Sequence, residues 1–595
     1  VDQGTYRNAD HGDQDAGRDA LRALLTGVDA RRHRLALALL CEGGWWTRAD
    51  LVRVTATSRR GVEALLREVA VEQSGDRFRL TRAEARACRE LLGEDPLTAP
   101  ATEAARAPGP APGETVPGAE VPRPAAPGSM EPGLRAPGRP LAMLPADPVG
   151  HLLPRHAELL ARMEGLVAGA PRAVQALDHV AATPETVVRR ALLLDARFWL
   201  PGARLLCVGD HDLTSLAVAL LRPDVEVTVV DIDERILAYI GEQAERLGLD
   251  VRIRWADLRL GLPPSVHGYA DLAVTDPPYT PEGIGLFVAR ACEGLRDVEQ
   301  GRVLLAYGAS ERTPMLALKV QSTLHDLNLA YEAMYPDFNR YFGAEAIGSA
   351  ADMYVLRPTT KTLPAVAART ERFAAAIYTH GPQSVESQGA ASGADAAALA
   401  EFAPGLLVGE WPRDLLPRTP RAKLATWLAK PYAAASERVA ITVPAGLEAA
   451  LPRLLLAARA PQVRAYLGAP LDDLSALSEP LAPVYAVSAH GNVVDATRRA
   501  LPEEVPGGQA IAGGVEERVE IVLRRILDHA HGKLANTWRE ALTRLPGGPT
   551  KKQARSIVAA VAPWSADVTP LELPAHRLRE LRAAVAASLT QTEPS

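Results

Sequence analysis

Only four cysteines occur in 595 residues, at Cys41, Cys88, Cys207 and Cys292, and no two share a CxxC spacing. That excludes a disulfide framework and a thiolate zinc centre, and leaves the thiols as small buried apolar groups of a reducing compartment. A run of ~18 apolar residues is also missing, so no membrane span is expected. The leading VDQGTYRNADHGDQDAGRD has no apolar stretch, so no signal peptide is expected and the expected address is cytoplasmic. Positive charge is not in excess: the net charge of -6 argues against a basic coat for nucleic acid. No internal repeat is found.

What is present is apolar bulk. Hydrophobic residues make up 47% of the chain, and its length is too great for one core, so three or four domains are expected. Residues 1–19 read as a disordered leader. Residues 20–91 read as a winged helix: helices from RRHRLALALLC, TRADLVRVT and SRRGVEALLREVAVE, the last capped by Ser58, then a turn and strand in GDRFRLT. Arg59, Arg60 and Arg67 suit phosphates in a DNA-binding reading, or solvent in a docking or dimerisation module. Residues 92–147 are dominated by Pro, Ala and Gly and read as an extended linker.

Residues 148–384 alternate between strand and helix patterns, which predicts a doubly wound parallel sheet. HLLPRHAELLARMEGLVAGA reads as a helix before it, and LAYEAMYPDF with ADMYVLRP as a closing antiparallel hairpin. The fold class is therefore α/β, a Rossmann-like sheet of the class I methyltransferase type. Residues 385–595 read as a mostly helical C-terminal region of unassigned role.

Ligands of such sheets sit at the carboxyl ends of the strands. Four strand ends here finish in acid: Gly209-Asp210-His211-Asp212, Asp231-Ile232-Asp233-Glu234, Asp257, and Asp276-Pro277-Pro278-Tyr279. Asp231, with Asp233 or Glu234 beside it, is the candidate for ribose hydroxyls, because a carboxylate accepts two hydrogen bonds at once. Asp257 is placed to accept from an adenine amino group. The first loop keeps only Gly209 of the glycines that a phosphate- or carboxylate-binding turn needs. Asp210 and Asp212 around it would repel an anionic donor and attract an ammonium; the alternative is that both acids serve backbone amides. Residues 201–300 hold 9 Arg and no Lys against 17 Asp and Glu, which suits a cationic substrate. In Asp276-Pro277-Pro278-Tyr279 the prolines remove backbone donors and leave acceptors aimed at an N-H, while Tyr279 stacks on a planar group or flanks a cation. Amine alkylation is the natural reading, with an ordinary structural turn as the alternative.

These residues resemble the branched-chain polyamine synthases, which transfer aminopropyl groups from decarboxylated S-adenosylmethionine. The resemblance rests on Leu177-Asp178 with Thr183-Pro184-Glu185-Thr186, the loop Gly209 to Ser215, and Val230 to Arg235. Asp257-Leu258-Arg259, Thr275 to Thr280 and Asp337-Phe338-Asn339-Arg340-Tyr341 extend it over roughly residues 150–360. The resemblance implies catalytic roles for Asp210, His211, Asp212, Asp276 and Tyr279. It implies donor contacts from Gly209, Asp231, Asp233, Asp257 and Pro277, and acceptor contacts from Pro278, Asn339 and Tyr341. His211 stands where the family has the acid thought to activate the amine, and is the candidate base. Tyr279 and Arg340 stand where the family tends to have Glu, so the acceptor site is less negative than in the family. The Pro-rich linker replaces a Cys-rich segment of archaeal members, and the C-terminal region lies outside the resemblance.

The expected reaction is aminopropyl transfer from decarboxylated S-adenosylmethionine to a small amine such as a polyamine, or to a peptide amine, with no metal. The expected assembly is a homodimer, with no nucleic-acid or membrane partner. An N-methyltransferase using S-adenosylmethionine is the second reading, and a winged-helix DNA-binding regulator with a ligand-sensing domain the third. Ile377-Tyr378-Thr379-His380-Gly381 is either a flap over the site or an ordinary turn. His529 and His531, two apart in a helix, point to different faces and are not a metal pair.

Overall fold

The computed structural model describes residues 11–27, 30–55, 57, 59–93, 147–309, 313–343, 349–370, 377–378, 396–471, 473–500 and 514–591. The start of the leader, Ser58, nearly all of the Pro-rich segment, and Thr379, His380 and Gly381 lie outside them. The chain divides into two compact units, Val1–Pro148 with Leu194–Trp199, and Val149–Leu193 with Leu200–Ser595.

In the first unit, helices His11–Leu24, Ala30–Cys41, Arg48–Thr55, Arg59–Arg67 and Arg82–Leu92 surround a sheet of order β1-β3-β2, with β1 Trp46–Thr47, β2 Val71–Ser74 and β3 Arg77–Leu80. The leader is thus helical from residue 11, because Leu21 and Leu25 dock into the apolar cluster of the unit. The helix expected to run to Glu72 stops at Arg67, and Val71–Ser74 pairs with Arg77–Leu80 across the Gly75 turn. β-branched Val71 and the turn glycine outweigh the helical periodicity there. Val62 and Leu65 are buried, whereas Arg59, Arg60 and Arg67 are exposed, and Arg59 pairs with Glu63 at 2.9 Å.

The second unit is built on a seven-stranded sheet of order β6-β5-β4-β7-β8-β10-β9. Its strands are β4 Arg204–Val208, β5 Glu226–Asp231, β6 Val251–Trp255, β7 Leu272–Thr275, β8 Arg302–Tyr307, β9 Leu329–Arg340 and β10 Ala350–Pro358. The first five are parallel, and β10 runs antiparallel between β8 and β9. This is the order of a methyltransferase-type Rossmann sheet. Central strands such as Leu205-Leu206-Cys207-Val208 and Leu272-Ala273-Val274-Thr275 are buried on both faces, as parallel strands between helices must be. The helix expected over 151–170 begins instead as a tight 3-10 turn, Gly150–His156, because Pro154 interrupts it; the α-helix is Ala157–Gly169.

Strand order reverses at β4, whose neighbours are β5 and β7, so a crevice opens at the carboxyl ends of β4 and β7. Gly209 turns the chain out of β4 with φ 73°, a left-handed value that suits glycine. Four residues on, Leu213 holds φ 64° with a side chain attached, a strained backbone within the same loop. After β7, Thr280 caps helix Pro281–Gly294 by accepting from the Gly283 amide at 2.9 Å, which anchors the Asp276 loop.

The C-terminal region holds more helix than strand, and it also contains a second sheet that the sequence reading did not anticipate. Its order is β12-β11-β13-β14-β16-β15, with β11 Leu406–Val408, β12 Arg421–Ala422, β13 Arg438–Val443, β14 Gln462–Leu467, β15 Tyr485–His490 and β16 Val493–Arg498. Strands β11 to β14 are parallel and β15 and β16 antiparallel. Helices Val515–Leu527, Leu534–Thr543, Lys551–Val561 and Ala575–Thr590 follow. No helix among the described residues is long and apolar enough to cross a membrane.

Candidate active site

A cavity of about 690 Å³ lies at the crevice and is bounded by the four acidic strand ends. At its base sits Arg190, carried by helix Pro184–Arg197 and only 2% exposed. Its guanidinium donates to Asp212 Oδ2 at 2.8 Å, Asp276 Oδ2 at 2.5 Å and Asn339 Oδ1 at 2.8 Å. Burial works against that cation, and the charges of Asp276 and Asp212 overcome it, holding Arg190 protonated. Two phenols complete the cluster: Tyr279 donates to Asp276 Oδ1 at 3.0 Å, and Tyr341 to Asp276 Oδ2 at 2.8 Å.

Asp276 therefore accepts three side-chain hydrogen bonds and keeps about one lone-pair direction on Oδ1 for a further donor. Burial pushes its carboxyl up to about 6, against the pull of Arg190. Asp210 accepts from the Thr214 and Ser215 amides at 2.8 and 3.1 Å, and burial pushes it up to about 7. Asp212 accepts from the Ala182 amide at 2.8 Å as well as from Arg190. Both acids of the first loop are thus compensated within the protein. Their use as a bare anionic pair that repels a donor carboxylate is corrected accordingly.

On the other side of the cavity, Asp231 accepts from the Asp210 and Asp233 amides at 2.9 and 2.8 Å, and burial raises its carboxyl. Asp257 is buried and paired with Arg259. Gly209, Asp231, Asp257, Pro277, Pro278, Tyr279 and Tyr341 all line the cavity, as do Asp210, His211, Asp212 and Asp276. Two assigned residues, Asp233 and Asn339, do not, and neither does the alternative neighbour Glu234. Asp233 caps helix Glu234–Leu247 and is held by Arg235, Glu234 turns away to the C-terminal region, and Asn339 is a fully buried strut. Asn339 donates to the Ala351 and Asp352 carbonyls and braces Arg190. Of the three charge changes, His211 and Tyr279 lie on the cavity, whereas Arg340 stands off it beside Asp337 at 3.6 Å. Ile377 and Tyr378 do line the cavity, tied down by Thr280 Oγ1 donating to the Ile377 carbonyl at 2.7 Å.

His211 stacks on His179 with centroids 4.4 Å apart and planes 17° from parallel. Burial lowers both imidazoles to about 4, so each is neutral near pH 7 and a weak proton acceptor. The nitrogens of His179 and His211 and the carboxylate of Asp233 lie within 4.8 Å of one another. That spacing is one at which three such side chains could hold a metal ion, and Arg235 also pairs with the Asp233 carboxylate at 2.6 Å. Elsewhere, His529 binds the Arg525 carbonyl at 2.8 Å and His531 the Trp427 carbonyl at 3.0 Å, each in its own structural contact.

Arg190 and His179 were missed in the sequence. The available signal for Arg190 was two arginines set into the apolar run Val187 to Leu194, where one of them must be buried and a buried cation needs acids.

Residues 158–372 match the family described as branched-chain polyamine synthase A C-terminal domain. An uncharacterised protein of Methanocaldococcus jannaschii is 37% identical over 204 residues, 34% of this chain and 49% of its own length. The N(4)-bis(aminopropyl)spermidine synthase of the same organism is 31% identical over 196 residues, 32% of this chain and 55% of its own. The chain thus spans about half the length of these curated relatives. The solved branched-chain polyamine synthase from Thermus thermophilus, in complex with N4-aminopropylspermidine and 5'-methylthioadenosine, is 21% identical with a TM-score of 0.31, over 59% of this chain and 93% of that one. Residues 158–372 are thus similar to the C-terminal domain of the branched-chain polyamine synthases, and the rest of the chain lies outside that match.

Proposed function

We propose that the cavity binds decarboxylated S-adenosylmethionine and an amine, and transfers the aminopropyl group to that amine. The observation that carries this reading is the Asp276 carboxylate at the end of β7, facing the cavity with one acceptor direction free. The amine nitrogen attacks the methylene bound to the sulfonium, the N-C bond forms as the C-S bond breaks, and 5'-methylthioadenosine leaves. The sulfonium is a good leaving group, so the protein's task is to align the two and take the amine proton. Asp231 and Asp257 hold the nucleoside, and Tyr279, Tyr341 and Pro278 frame the amine. Asp276 is the base. His211, lowered to about 4 by burial, holds a proton less well and is a hydrogen-bond acceptor instead.

A pH profile separates these two roles. Asp276 must be ionised to accept a proton, so kcat/KM is expected to fall on the acid side with a midpoint near 6. A midpoint near 4 instead would return the role to His211.

The acceptor is less cationic than a long polyamine. Asp212 and Asp276 are shared with Arg190, and His211 and Tyr279 bring no charge to the cavity, whereas Phe287, Leu316, Ile377 and Tyr378 bring apolar surface. Mass spectrometry of amines and peptides incubated with labelled donor tests the reading; transfer to spermidine in preference to all monoamines would overturn this part of it.

The second reading, N-methyl transfer from S-adenosylmethionine, is favoured by the compensation of Asp210 and Asp212, which removes the repulsion that stood against a donor carboxylate. Calorimetry with both donors decides. Binding of S-adenosylmethionine without binding of its decarboxylated form would reverse the order.

A further inference from the structure

Among the described residues none beyond Tyr378 lines the cavity, yet the C-terminal region reaches both strand ends that carry the nucleoside-side carboxylates. At the end of β5, Arg453 of helix Leu451–Ala458 is 2% exposed and donates to Glu234 Oε1 and to the Leu573 carbonyl, each at 2.7 Å. The other Glu234 oxygen accepts from the Ala575 amide at 2.7 Å. The Arg453 guanidinium also lies over the Trp255 ring, 3.8 Å from its centroid, and the Trp255 indole donates to the Ile232 carbonyl at 3.2 Å. Ile232 lies between Asp231 and Asp233 and lines the cavity. At the end of β6, Arg259 pairs with Asp257 and donates to the Gly446 carbonyl at 3.0 Å.

We propose that the C-terminal region sets the donor affinity of the site, with Arg453 as the positioning residue that fixes the Asp231 loop through Glu234 and Trp255. Arg453 touches no reactant. It ties one loop of the C-terminal region, one helix start and one indole to the same strand end, so the loop that presents Asp231 is set before a nucleoside arrives. The acceptor half, built from Asp276, Tyr279 and Tyr341, has no such tie to Arg453. Donor and acceptor binding should therefore separate when Arg453 is changed.

This inference rests on the nucleoside-donor reading, and the test distinguishes the two. Arg453→Met and Arg453→Lys are made in the full chain, and binding of 5'-methylthioadenosine is measured by calorimetry beside donor KM, acceptor KM, kcat and the unfolding midpoint. The expected result is nucleoside binding and donor KM weakened roughly 3- to 30-fold in Arg453→Met, partly restored in Arg453→Lys, with kcat and acceptor KM nearly unchanged. Unchanged nucleoside binding in a folded Arg453→Met would overturn the inference and leave the function standing. A shift of kcat and both KM values together would mark a general scaffold role and also overturn it. A wild-type protein that binds no 5'-methylthioadenosine would overturn both readings. Where the methionine variant fails to fold, the lysine variant decides on the same readouts.

Discussion

Asp276→Asn is expected to lower kcat by about 10²- to 10⁴-fold while leaving nucleoside binding and the unfolding midpoint close to wild type. The amide keeps the shape of the side chain and an oxygen for Tyr341 or Tyr279, but it cannot take a proton from the attacking amine. The rate loss should be largest where the wild-type carboxyl is ionised, above about 6, and shrink below it. Asparagine is preferred to alanine because its amide oxygen can still accept from Arg190, whereas truncation would remove the acceptor along with the charge. Steady-state kinetics at pH 8 with calorimetry on the same preparation checks this. Retained turnover would remove Asp276 from the chemistry and return it to a structural role.

Arg190→Met is expected to be the most destabilising single change in the site, by about 3–5 kcal/mol at neutral pH, because it leaves two buried acids without a counter-charge. The direction with pH follows from proton binding. Without the guanidinium, the Asp276 carboxyl rises further above the usual carboxylate range, so the folded variant binds more protons than the unfolded chain. Stability is then retained at low pH and lost as pH rises through the folded value. Chemical unfolding at pH 5 and pH 8 should show the larger deficit at pH 8. An equal deficit at both would mean that packing, not charge, is what Arg190 supplies.

The sheet was legible because its strands are short, apolar and bounded by turns, and because acids recur at their ends. The site was legible as a set of acids but not as a charge balance. Asp210, Asp212 and Asp276 each announce themselves at a strand end, whereas Arg190 arrives from a preceding helix with nothing in its local spacing to name its partners. The resemblance over Asp337 to Tyr341 implies an acceptor contact for Asn339, yet its side chain is fully buried and accepts from Arg190 instead. The second sheet was missed for another reason. Strands such as Arg438–Val443 and Gln462–Leu467 are short apolar runs within an Ala- and Leu-rich background, where length and periodicity do not separate strand from helix.

Strand β6 ends the parallel side of the large sheet, and its outer margin is met by the segment around Asp567 and Glu572. Glu572 accepts from the Ser265 amide at 3.1 Å, and Arg252 faces Asp567 at 3.6 Å. That margin carries unpaired backbone groups, which template pairing with foreign strands wherever they are left open. Cover of that margin by the segment around Asp567 and Glu572 is therefore expected to limit self-association. The large sheet cut free after residue 384 should form higher-order species on size-exclusion chromatography, and the same cut should leave the antiparallel β9 margin at the opposite end untouched.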